Sequence, residues 1–188
     1  MTSLDMKAQL HDYLHGAREA LVWKMDGLSE YDIRRPLTPT GTNLLGLVKH
    51  STATHLGYFG EVFGRTGDPS SGLLGDAGQF WATPDESRQD IVSSYQDAWE
   101  FSDATISELP LDAVGSVWWW GDATVTLHQI LVHVIADTQR HAGHADILRE
   151  LIDGSVGMLK GHDNLHIRDP AEQQRFRDRV EAAAAQFR

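Results

Sequence analysis

Residues 127–154 read LHQILVHVIADTQRHAGHADILRELIDG, and how this stretch folds decides how the rest of the chain is arranged. Its apolar and small residues Leu127, Ile130, Leu131, Val134, Thr138, Ala142, Ala145, Leu148 and Ile152 recur at steps of three and four. That is the period of an amphipathic α-helix. Thr126 with Gln129 three positions on offers a capping-box start, and Gly154 supplies a stop that tolerates positive φ. At about 100° per residue, His133, Asp137, His141 and His144 fall along one flank of the apolar stripe.

Side chains four apart on a helix stand one above the other, so Asp137 and His141 can present an oxygen and an imidazole nitrogen to a common point. Such a pair can chelate a divalent ion, given a further ligand from elsewhere in the chain. It can equally be a polar flank whose members hydrogen-bond to their neighbours, and the spacing alone leaves both readings open.

Length and composition narrow the field. A chain of 188 residues suffices for one domain, 1–188, with a substantial core. No apolar run approaches the ~20 residues that span a bilayer, and the first twenty residues lack the basic and apolar regions of a signal peptide. A cytoplasmic location is expected. The formal net charge of -11 disfavours phosphate backbones and anionic membranes as partners, which leaves a small molecule. With no cysteine, any metal must be held by histidine and carboxylate, and any sulfur chemistry must use sulfur brought in from outside. Of the ten histidines, His11, His15, His128, His162 and His166 read as solvated.

Outward from the central stretch, periodicity predicts a first helix from about Ser3 to Leu28, ended near Gly27. A short helical turn from Ser29, closed by Pro36, follows, and LTPTGT is a connector. A second long helix is predicted from about Asn43 to Gly64, with Leu44, Leu47, Val48, Ser51, His55, Tyr58, Phe59, Val62 and Phe63 on its apolar face. His50 lies at the edge of that face. It is a candidate third ligand, or else a boundary histidine with one nitrogen wet; His55, nearer the middle, reads as core.

The segment Arg65–Ala82 is rich in Gly, Ser and Pro and reads as a long crossover, either a lid over a site or a plain linker. It carries no phosphate-binding signature. Thr83, Pro84 and Glu86 predict the start of a third helix running to about Glu108. Beyond it stand Trp118, Trp119 and Trp120. Three consecutive indoles cannot all face one core, so at least one lines a pocket or subunit contact, or else they cap the end of the bundle. Asp169, Pro170 and Glu172 open a last helix, about 170–187, with Phe176, Val180, Ala183 and Phe187 on one side. No segment reads as a strand. The inventory predicts an all-α four-helix bundle with a long crossover and an additional C-terminal helix, in which His50 can meet Asp137 and His141.

The pairing of LLGLVKHSTATHLGYF (residues 44–59) with HVIADTQRHAGHADILRELIDG (residues 133–154) resembles the DinB-like superfamily, in particular its branch of mycothiol- or bacillithiol-dependent S-transferases and maleylpyruvate isomerase. The resemblance covers most of the chain. It implies a four-helix bundle, a homodimer, and a divalent metal held by one ligand from the second helix and two from the later one. These positions are His50, Asp137 and His141. Asp137 stands where the mycothiol-dependent branch prefers glutamate, one methylene longer. The cofactor implied is zinc, with nickel or iron also suited to the donor set, and a low-molecular-weight thiol such as mycothiol is the implied cosubstrate. His133 and His144 are candidates for orienting a ligand or carrying protons. Three functions follow as alternatives: a metal-dependent thiol S-transferase for detoxification or biosynthesis, a metal-dependent hydrolase, and a non-enzymatic metal- or ligand-binding stress protein.

Overall fold

The computed structural model describes residues 5–65 and 77–188. Four long helices form the bundle: α1 (Met6–Trp23), α3 (Leu44–Phe59), α4 (Arg88–Glu108) and α5 (Leu127–Asp153), with the short α2 (Glu30–Arg34) ahead of α3. Helix α5 packs along α1 and α3, and α4 packs along α3. The predicted caps of the central helix are present. Thr126 Oγ1 accepts from the amide of Gln129, and Gly154 closes the helix at φ 78°.

One prediction is overturned outright. Val114–Val117 (β1) and Ala123–Thr126 (β2) pair antiparallel, with Val114 opposite Thr126 and Val117 opposite Ala123. Trp118–Trp120 form a 3-10 turn at the hairpin tip, where Gly121 and Asp122 both take positive φ. Strands of four residues are too short to show a period, but the β-branched run after Gly121–Asp122 was a usable signal. Val117 and Val125 are buried with Leu14, Phe59, Ile106 and Ile130, so the hairpin caps that end of the bundle.

The predicted start of the third helix is also displaced. Glu86 does accept from the Thr83 amide at 2.7 Å, but the pair closes a turn, not a helix. Lys49 ion-pairs with Glu86, and Arg34 donates to the carbonyls of Thr83 and Glu86, which pins that turn against α2 and α3. Ser87 and Asp90 repeat the same chemistry four residues later and cap α4.

The interior splits into two apolar clusters. One contains Leu14, Phe59, Ile106, Ile130 and Val134, the other Leu21, Leu44, Val48, Ile91 and Leu148. Between them in sequence on each helix lies a polar band: Arg18 on α1, Ser51 and His55 on α3, Ser102 on α4, Thr138 on α5, all buried. Buried charge is tolerated only when paired. Arg18 accordingly donates to Asp103 at 2.6 Å and to His55 Nε2 at 2.9 Å, and His55 Nδ1 donates to the Ser51 carbonyl at 2.8 Å. His11, expected to be solvated, also binds Asp103, at 2.7 Å.

The C-terminal helix α6 (Pro170–Ala184) opens with Asp169 as N-cap and proline in the first turn, as the sequence predicts. Every one of its residues is exposed, Phe176 and Val180 included. Among the described residues, no helix is long and apolar enough to cross a membrane.

Candidate metal centre

Helices α3 and α5 lay a set of facing residues along one seam. On α3 these are His50, Thr54 and Tyr58, each one turn from the next; on α5 they are His141, Asp137 and His133. The rings of His50 and His141 meet edge to face at 4.8 Å, and Tyr58 and His133 meet through a hydrogen bond of 3.0 Å. His50, Asp137 and His141 each offer one ligand atom, and these atoms all lie within 4.8 Å of one another. The three candidates named from the sequence are thus together. His55 points instead into the polar band, as expected of a core residue.

The donor set fits a divalent ion on three further observations. Gln79 Oε1 lies 2.7 Å from His50 Nδ1, so that nitrogen carries the proton and Nε2 keeps its lone pair. His141 Nδ1 is buried and has no hydrogen-bond partner among the described residues. The contact between His141 Nε2 and Asp137 is 3.5 Å, long for a charge-assisted hydrogen bond, so the pair is not closed on itself. Burial pushes His50 below its ordinary pKa, an effect the Gln79 bond opposes. Burial pushes the Asp137 carboxyl up, but His141, His50 and His133 outweigh it and hold the group below its ordinary value.

Gln79 is the functional residue that sequence reasoning missed. It sits in the glycine-rich crossover, where no periodicity marks a buried position, yet it is 3% exposed. Its backbone is held close because Gly46 on α3 has no Cβ, which would otherwise run into the Phe80 carbonyl oxygen. Asn43 donates to that same carbonyl at 3.1 Å, and Phe80 stacks on His50 at 4.5 Å. Of the crossover read as either a lid or a plain linker, residues 77–80 place Gln79 and Phe80 against His50; residues 66–76 lie outside the described residues. Replacing Gln79 by Ala should lower metal affinity about tenfold, because the His50 ring then loses its fixed tautomer. Competition with a chromophoric chelator reads this directly, and an unchanged affinity would show that Gln79 plays no part.

The remaining flank histidines divide. His144 is exposed, its ring 5.7 Å from that of His141, and it borders a cavity of about 220 Å³ with Thr40, Leu47 and Phe80. His133 is half-buried between Tyr58 and Trp120, with ring separations of 4.8 and 4.7 Å. Burial holds both histidines below their ordinary pKa and raises the Tyr58 hydroxyl. Tyr58, which the periodicity marks only as core, gives its hydroxyl to this seam.

Comparison with known proteins finds a family model described as mycothiol-S-transferase, which matches residues 9–154, from within α1 to the end of α5. No curated protein matches the chain.

Proposed function

The chain belongs to the mycothiol-S-transferase family, a DinB-like family, and on that premise we propose that it joins a mycothiol-type thiol to a small electrophile at a divalent ion held by His50, Asp137 and His141. The observation that supports this reading is the convergence of two imidazoles and a carboxylate from two facing helices. Three protein ligands are the usual complement of a catalytic zinc site, which keeps one position open. An ion bound there lowers the pKa of an entering thiol, so that the sulfur reacts as a thiolate at neutral pH. Zinc is the first choice of ion, with nickel and ferrous iron compatible with the same donors.

The chain's own residues supply the rest. Having no cysteine, it leaves the nucleophile to the cosubstrate. Gln79 and Phe80 hold His50 in one orientation. His133 and His144 stand on either side of Asp137 and His141 along α5 and act on the bound cosubstrate or electrophile, orienting it or carrying its proton.

The test is metal analysis of the purified protein, then loss of a bimane electrophile with and without mycothiol. Turnover that requires both metal and thiol supports the transferase. Turnover without thiol would make the protein a hydrolase, and bound metal without turnover a binding protein.

A further inference from the structure

The hairpin tip presents aromatic surface to solvent. Trp118 is 60% exposed and Trp120 is 36% exposed, although each indole has apolar area enough to anchor a core. Trp119 turns inward, donating to the Tyr58 hydroxyl at 3.4 Å. Trp120 leans against Tyr58 at 5.6 Å and His133 at 4.7 Å. Trp118 and Trp120 share the tip, and exposed indoles beside polar groups form a surface suited to a ligand with both apolar and polar faces. His133 lies one turn before Asp137, a rise of about 6 Å along α5.

On the other side of the three candidate ligands, the cavity beside His141 and His144 measures about 220 Å³. That is below the ~300–1,000 Å³ typical of small-molecule sites. It suits a compact electrophile better than a cysteine carried on two saturated rings, the glucosamine and inositol of mycothiol.

We infer that the exposed face of Trp120, with Tyr58 and His133 behind it, is the platform on which the sugar part of the thiol cosubstrate lies, while the Phe80 cavity takes the electrophile. The inference rests on the transferase reading above. Between the sulfur and the first sugar ring stand five bonds, through the cysteine carbons and the amide, which span about 6–7 Å when extended. This matches the helical rise from Asp137 to His133. The apolar face of a sugar ring packs on an indole, and a hydroxyl of the same ring can reach the His133 imidazole. Tyr58 fixes that imidazole through the 3.0 Å bond to Nε2.

Two measurements on the metal-loaded protein test this. In the first, Trp120→Ala should raise KM for mycothiol about tenfold. It should leave KM for N-acetylcysteine, which has no sugar, and KM for the electrophile within about twofold. Equal losses for both thiols, or a change confined to the electrophile, would overturn the assignment. The second measurement does not depend on turnover. S-methyl mycothiol should quench tryptophan fluorescence of the full chain, and Trp120→Ala should weaken that binding about tenfold. A chain that binds the analogue through Trp120 but transfers no thiol keeps the platform and loses the transferase. A chain that transfers mycothiol without Trp120-dependent binding keeps the transferase and loses the platform.

Discussion

Replacing His141 by Ala should abolish stoichiometric metal binding and reduce thiol transfer by more than about 100-fold while leaving the fold intact, since first ligands matter more than the outer partners whose loss costs ~10–100-fold. The ring is largely buried, its Nδ1 has no hydrogen-bond partner among the described residues, and its contact with Asp137 is a long 3.5 Å to a carboxylate that still reaches solvent, so truncation costs the interior little. What remains is His50 and Asp137, one ligand from each helix, which lack the i, i+4 chelate. Thermal unfolding should therefore shift by only about 2–4 °C, the value of ~1 kcal/mol in a domain of this size. His144→Ala is the control. Its ring borders the cavity without joining the three candidate ligands, so metal content should stay at the wild-type level. A His141→Ala protein that keeps its ion and its transfer rate would remove the metal centre from the account.

The second large effect is on stability. Arg18 is fully buried, bonded to Asp103 and His55, with its guanidinium 5.9 Å from the Trp99 ring. Arg18→Met leaves His55 Nε2 without its donor and the Asp103 carboxylate with His11 as its remaining partner. Breaking a buried pair from one side costs about 3–5 kcal/mol, and the partly exposed Asp103 puts this one near the lower value, about 3 kcal/mol. Melting should fall by roughly 10 °C. The same network makes the protein acid-labile. Burial, with the Arg18 charge beside it, drives His55 from its ordinary 6.5 down to about 3. Between those values the unfolded chain binds a proton that the folded chain refuses, so stability is complete above pH 6.5 and declines as the pH falls toward 3. Denaturant midpoints at pH 7.5, 5.5 and 4.5 should fall in that order in the wild type. His55→Gln should flatten the slope. Equal slopes in the two proteins would show that His55 does not carry the effect.

What the sequence disclosed follows the range of the forces involved. Helix α5 was legible end to end because its stripe, its Thr126 cap and its Gly154 stop are all local. The i, i+4 spacing of Asp137 and His141 was equally local, and His50 became legible once the second helix had a register. The β1–β2 hairpin was not, because the value of a four-residue strand lies in its partner and in burial of Val117 and Val125 against the bundle. The start of α4 was misplaced because two capping sequences stand four residues apart, and only Arg34 and Lys49, distant in sequence, decide between them. Gln79 gave no signal within a segment without periodicity. Arg18 gave a contrary one, since an arginine between Ala17 and Leu21 reads as the edge of a helix face until Asp103 and His55 are known to meet it.

The most direct test of the central claim, that His50, Asp137 and His141 hold one divalent ion, is zinc-edge X-ray absorption on the zinc-loaded chain. One ion per chain is expected, coordinated by two imidazole nitrogens and a carboxylate oxygen at about 2.0–2.2 Å, with no stoichiometric zinc retained by His141→Ala. A zinc ion surrounded by water oxygens, without the outer-ring scattering of histidine, would contradict it.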